Sequence, residues 1–161
     1  RALYKASMAG VKVDLIVRGI CCLKPGVEGV SENIRVISIL GKYLEHPRVF
    51  YFKNDATKVY ISSADWMPRN LMRRIELLTA IKDEAAKDRI LQILKLQCSD
   101  NELAHELQED GSYKKISHNS GVPKINNHKT LEDFVNKITK ATKKESASSV
   151  QQLASRLFVE S

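Results

Sequence analysis

His46 and Arg48 stand two positions apart in Tyr43-Leu44-Glu45-His46-Pro47-Arg48, directly ahead of a strand-like run. The next strand-like run ends in Ser62-Ser63-Ala64-Asp65, and Trp66, the one tryptophan of the chain, follows it. Phosphoryl chemistry needs a group that can carry or pass a proton, cations that spread oxyanion charge, and small polar donors. All three types fall between residues 43 and 70. An extended backbone repeats every two residues, so His46 and Arg48 are expected on one side. Such a pair suits a phosphate, and a surface or core histidine with a satisfied hydrogen bond is equally open. The Ser63 hydroxyl could donate to phosphate oxygens, and Asp65 could orient a histidine. A turn that caps a following helix is the commoner use of such residues.

Arg18 ends a candidate buried strand, Val13 to Val17. Ligands of open α/β sheets bind beyond the carboxyl ends of strands, which puts Arg18 where a ligand would sit. Arg35 lies inside an apolar run, where an uncompensated charge is costly. A carboxylate partner such as Asp14 or Glu32, or an anionic ligand, would satisfy it. A guanidinium forks and stays charged, which suits phosphate. Arg69, Arg73 and Arg74 cluster further on, and Trp66 reads as core or hinge. His105, His118 and His128 show no metal-ligand spacing, and no glycine-rich phosphate loop is present.

The elements that must position these residues follow from periodicity. Arg1 to Ala9 reads as the end of a helix whose start is missing, stopped at Gly10. This suggests a piece of a longer protein. Helix then β-branched strand is the unit of mostly parallel sheets. Ile34 to Leu40 reads as a strand, and Arg48 to Phe52 with Lys58 to Ser62 reads as an antiparallel hairpin turning at Asn54-Asp55. Arg73 to Leu78 alternates and reads as a further strand. Asp83 to Cys98 is the clearest amphipathic helix, with Asp83 as its cap. Asn101 to Leu107 reads as a shorter helix and Tyr113 to Asn127 as an irregular linker. Leu131 to Thr139 and Val150 to Val159 read as helices joined by a mobile Lys- and Ser-rich segment, 140–149.

The chain has 161 residues, 43% hydrophobic and 28% charged, which is enough for one ordinary core. No apolar run reaches the length of a membrane span, and no charged-then-apolar leader is read. Three cysteines with neither disulfide nor zinc spacing suit a reducing compartment and read as buried thiols. The net charge is +7, and nine Lys/Arg against four Asp/Glu fall in residues 113–161. Most of the basic excess therefore belongs to the tail and defines no nucleic-acid face on the core.

Taken in order, four motifs resemble the C-terminal domain of bacterial polyphosphate kinases over roughly residues 1–115. They are Leu15-Ile16-Val17-Arg18-Gly19-Ile20-Cys21, Gly29-Val30-Ser31-Glu32-Asn33-Ile34-Arg35, Tyr43-Leu44-Glu45-His46-Pro47-Arg48, and Ser62-Ser63-Ala64-Asp65-Trp66-Met67-Pro68-Arg69-Asn70. The resemblance implies an α/β fold: a phospholipase-D-like mixed sheet flanked by helices, with a helical C-terminal tail. Residues 1–115 would be the second catalytic half, short at its N-terminus, and 116–161 a linker and a helical or flexible basic tail. The implied reaction is reversible transfer of the terminal phosphate of ATP to inorganic polyphosphate through a phosphohistidine. That histidine and the residues expected to hold Mg2+ would lie outside this fragment.

By matching motif positions, the resemblance implies that Arg18 binds phosphate. It implies that His46 contacts the nucleotide phosphates as a catalytic proton donor or acceptor; Arg48 and Ser63 are read, from their own chemistry and place beside it, as weaker candidates for supporting contacts. The implied partners are ATP or ADP, polyphosphate and the preceding domains of the same polypeptide. A homo-oligomer is expected for the full-length protein, and nucleic acid is not. A cytoplasmic location is expected, with membrane association of the full-length protein left open. Phospholipase D would carry Lys where Arg48 stands and Asp where Lys53 stands, while Ser63 and Asp65 loosely fit its Ser-x-Asn element. The alternatives are a phospholipase-D-like phosphodiesterase and a non-enzymatic polyanion-binding module.

Overall fold

The computed structural model describes residues 1–56, 58–117 and 121–142. The expected helix at Val150 to Val159, most of the Lys- and Ser-rich segment and His118 lie outside them. The elements run α1 (Ala2–Met8), β1 (Val13–Ile16), β2 (Ile34–Ile39), β3 (Val49–Tyr51), β4 (Val59–Ser62), α2 (Pro68–Arg73), β5 (Leu78–Ala80), α3 (Glu84–Cys98), β6 (Ala104–Leu107), β7 (Tyr113–Lys115) and α4 (Asn127–Thr142). The chain forms two compact units, one of residues 1–43 and 96–161, the other of residues 44–95.

The first unit holds a four-stranded sheet in the order β1-β2-β6-β7. The β1–β2 pair is parallel and the other two are antiparallel, so the sheet is mixed, as the family resemblance implies, and not mostly parallel, as the helix-then-strand pattern alone suggests. β2 is central because it is apolar on both faces. Ile34 and Val36 pack with Leu107 on one side, together with Leu3 and Tyr4 of α1. Ile37 and Ile39 pack with Ala104 on the other. Burying such side chains contributes roughly 1.5–3 kcal/mol each. α1 stops at Gly10, whose φ of 82° is a left-handed geometry that glycine adopts without cost. Its Ser7 is buried, and the Ser7 carbonyl accepts from the Asn33 side-chain amide at 3.0 Å, tying the helix to the approach of β2.

Parallel strands need a long crossover. Here residues 17–33 supply it without a helix. Buried Ser31 staples this loop: its Oγ donates to the Lys24 carbonyl at 2.6 Å and accepts from the Val27 N–H at 3.1 Å.

Two segments differ from the sequence reading. Asn101 to Leu107 is not a helix, because the Asp100 carboxylate captures the next turn. Its Oδ1 accepts from the N–H groups of Glu102, Leu103 and Ala104 at 3.0, 2.6 and 3.0 Å, and the chain leaves as strand β6. The segment expected to be a linker carries strand β7, entered through Gly111 at φ 86°.

α4 begins earlier than its apolar pattern suggests, and its first N–H, of Asn127, donates to Asp100 Oδ2 at 2.8 Å. Next to it His128 is 3% exposed. A Cβ on Gly41 would lie 2.7 Å from the His128 Nδ1, so only glycine lets the chain after β2 pass this ring.

In the second unit β3, β4 and β5 form an antiparallel sheet in that order. The hairpin is the expected one, with Asp55 in its turn accepting from the Tyr60 hydroxyl at 3.0 Å. Arg73 to Leu78 is not a strand. Pro68 fits the first turn of a helix, and α2 runs to Arg73 before β5 starts at Leu78. α3 starts as predicted, with Asp83 Oδ1 accepting from the Ala86 N–H at 2.8 Å.

Candidate functional site

Pro47 fixes its own φ and biases His46 toward an extended backbone. The ladder carries this geometry onward, since the Arg48 carbonyl accepts from the Ser62 N–H at 2.8 Å, one step before β3. His46 and Arg48 therefore project together, as their spacing predicts. The Arg48 Nη2 lies 2.9 Å from the His46 Nε2 and 3.3 Å from its Nδ1. The turn after β4 brings Asp65 to both. Its Oδ1 accepts from the Arg48 Nε at 2.9 Å and lies 2.8 Å from the His46 Nε2. Asp65 thus touches the histidine that the sequence reading gave it to orient.

The Asp65 side chain is 22% exposed, that of Arg48 27% and that of His46 53%. The imidazole is thus the part of the cluster open to a ligand. The hydrogen bonds from Arg48, and then from His46, hold the Asp65 carboxyl below its ordinary value, against a smaller opposing effect of burial.

Ser63 behaves differently from the sequence reading. Its hydroxyl donates to the Glu76 Oε2 and accepts from the Leu77 N–H at 3.0 Å. A hydroxyl has one proton, and here it is spent inside the unit, so Ser63 offers no donor to a phosphate. Asn70, 4% exposed, donates to the Glu76 Oε1 at 2.8 Å. The bonds from Ser63 and then Asn70 hold the Glu76 carboxyl below its ordinary value. Glu76 and Asn70 escaped the sequence reading. The β4–β5 register opposes Ser62 to Leu78, which brings Glu76 to Ser63, and a strand drawn through Arg73 to Leu78 hides that pairing.

Arg18 belongs to the other unit. It is exposed, two residues beyond the end of β1, where the Ser38 Oγ donates to its carbonyl at 3.5 Å. The loop that follows it lines a depression of about 520 Å3 with Gly19, Ile20, Cys22, Lys24, Leu107 and Tyr113. Arg35 is occupied within the protein. Its Nε lies 3.4 Å from Glu106, its Nη1 3.9 Å from Asp14, and its Nη1 donates to the Cys98 carbonyl at 3.2 Å. Of the two carboxylates read as partners, Asp14 takes part and Glu32 accepts from the Gly29 N–H instead.

Trp66 is neither core nor buried. It is 62% exposed and stacks on Phe50 with ring centroids 5.6 Å apart. Cys22 is exposed, while Cys21 and Cys98 are half-buried, and burial pushes the Cys98 thiol up. Among the described residues, no group of three or more His, Cys, Asp or Glu side chains is arranged to hold a metal ion. Among the same residues no helix is long and apolar enough to cross a membrane.

Fold and site together define a mixed α/β domain that carries an arginine beyond a parallel strand end and a His–Arg–Asp cluster on a hairpin, groups suited to anionic ligands. The family described as polyphosphate kinase C-terminal domain 2 matches residues 1–128. A polyphosphate kinase of Campylobacter jejuni subsp. doylei is 58% identical over 161 residues, covering 99% of this chain and 23% of that protein. One from Synechocystis is 58% identical over 114 residues, 70% of this chain and 16% of the relative. The crystal structure of polyphosphate kinase from Porphyromonas gingivalis superposes with a TM-score of 0.79 at 39% identity, over 86% of this chain and 21% of that one. The chain belongs to the polyphosphate kinase C-terminal domain 2 family. It spans a quarter or less of the length of the curated relatives it matches, 23% and 16% for the two named.

Proposed function

We propose that this chain is the second half of a polyphosphate kinase active site. It would act in reversible transfer of the terminal phosphate of ATP to inorganic polyphosphate. The observation that carries the reading is the open His46 imidazole beside Arg48 and Asp65, in a chain whose family and relatives bear that enzyme's name.

Arg18 binds a phosphate and spreads its charge. His46 meets the nucleotide phosphates and gives or takes a proton there. Arg48 keeps its Nε on Asp65, so only the remainder of its fork is available to an anion. The covalent phosphohistidine, which splits one difficult transfer into two, belongs to a histidine outside this chain. Mg2+ would neutralise charge on the transferring phosphates, and the described residues offer it no ligand set. Following the family resemblance, its ligands are assigned to residues outside the chain. ATP or ADP, polyphosphate and the preceding domains are the proposed partners, in a cytoplasmic homo-oligomer.

Calorimetry on purified residues 1–161 tests this. Polyphosphate or ATP should bind weakly, and Arg18→Ala and His46→Ala should each weaken binding about tenfold or more. Removal of residues 143–161 should leave binding in place. That cut spares α4, which is anchored at Asp100. Binding that survives both substitutions and disappears with the tail would establish a simple polyanion-binding module. Robust turnover by the isolated chain would overturn the half-site.

A further inference from the structure

Three distances decide which nitrogen of His46 can work. The His46 Nε2 lies 2.8 Å from the Asp65 Oδ1, and that same oxygen accepts from the Arg48 Nε at 2.9 Å. A carboxylate engaged by a guanidinium is ionised and can only accept. A bare Nε2 lone pair at that distance would face an anionic oxygen, so Nε2 carries a proton and donates it to Asp65. The Arg48 Nη2 is close to both ring nitrogens, 2.9 and 3.3 Å. A donor in the ring plane could approach only one of them, so this nitrogen lies against the ring face. Among the described residues, Nδ1 has no other hydrogen-bond partner, and its in-plane lone pair is not engaged by Arg48. The imidazole side chain is 53% exposed, so this edge is available to a ligand.

From this geometry we infer that Asp65 is a positioning residue, which locks His46 in its Nε2–H tautomer and leaves Nδ1 as the nitrogen presented to phosphate. The inference rests on the proposed phosphate-binding role of His46 and adds which atom performs it. Any proton that His46 exchanges with a phosphate oxygen sits on Nδ1. When Nδ1–H gives up its proton, the ring left behind is neutral and still bonded to Asp65 through Nε2–H. Arg48 holds Asp65 in register through Nε and restricts the tilt of the ring from its face. The arrangement has the logic of a buried carboxylate that fixes the tautomer of a working histidine.

The test reads the imidazole directly, without ligand. The 15N-labelled chain contains four histidines, and His46 is assigned by the signals lost in His46→Gln. A long-range 1H–15N spectrum should show Nε2 as the protonated nitrogen and Nδ1 as the bare one, with an exchange-protected Nε2–H proton. In Asp65→Ala the protected proton should vanish and the two nitrogens should average toward mixed tautomers. Asp65→Asn is the isosteric second variant, and amide spectra verify that both variants are folded.

Calorimetry with polyphosphate then separates positioning from charge. Removing a negative group beside an anion site should tighten binding if only Coulomb forces matter. A lost positioning residue should weaken it, by about fivefold or more. An unchanged imidazole spectrum in folded Asp65→Ala would overturn the inference, as would binding equal to or tighter than wild type in the folded variants. A wild-type spectrum with Nδ1–H would also overturn it, and the binding losses of Arg18→Ala and His46→Ala would still judge the functional reading separately.

Discussion

Asp65 is the residue on which the candidate site turns, and its charge state has a measurable consequence. Arg48 and His46 hydrogen-bond its ionised form and hold its carboxyl below the ordinary value of 3.8. A carboxylate favoured in the folded state contributes stability that is fully present above its ordinary value. That contribution is lost as the pH falls through the lowered folded value. Glu76, held down by Ser63 and Asn70, adds in the same direction. Wild type should therefore exceed Asp65→Asn in urea resistance near neutrality, and the gap should close as pH drops from about 6 to about 2. Trp66, the single tryptophan, lies beside Asp65 and provides the fluorescence signal for this unit. A gap that persists unchanged in acid would mean that the carboxylate's charge is not what stabilises the cluster. His46, Arg48 and Asp65 were legible because a two-residue period and a strand-end turn are local properties. The engagement of Ser63 with Glu76 was not, since it depends on strand register.

At the scale of elements, Asp100 joins three pieces of structure with one side chain. Its two oxygens take four backbone N–H groups, three on the way into β6 and one at the start of α4. The side chain acts as a turn former for one element and as a cap for the next. A negative charge is also favourable at a helix N-terminus. Asp100→Ala should leave these donors unsatisfied in a site that is 1% exposed. It should cost about 2–3 kcal/mol, read as a lower urea midpoint with unchanged slope. A loss below about 0.5 kcal/mol would show that other acceptors replace it. The same residue explains why the sequence misled at β6. Asn101 to Leu107 has no strong period of its own, and the competing side-chain capture at Asp100 decides its conformation. Elements with local signals, such as α3 with its Asp83 cap and the β3–β4 hairpin, were read correctly. β7 was missed because three exposed residues, Tyr113 to Lys115, acquire strand geometry only by pairing with β6.

For the whole molecule, the division into two units has no marker in the sequence. One boundary follows Tyr43 in the middle of a motif and the other falls inside α3, and neither is a Gly-, Pro- or Ser-rich linker. The units differ in how they are held. The first buries Ile34, Val36, Ile37, Ile39, Ala104 and Leu107 on the two faces of β2. The second buries Val59 and Ala64 and exposes Trp66, Leu71, Met72, Ile75, Leu77 and Leu78. Apolar burial is the dominant favourable contribution to stability, so the two should open with different free energies. Native-state hydrogen exchange on the chain should place the slowest amides in β2 and β6, protected about tenfold or more beyond those of β3, β4 and β5. Val36→Ala removes methyl groups from a fully buried site and should cost about 2–3 kcal/mol, speeding exchange in β2 and β6. If β4 instead proved the slowest strand, the cores would rank in the opposite order. The cluster of His46, Arg48 and Asp65 stands on the less buried unit, where hydrogen bonds and charge, more than packing, hold the side chains in place.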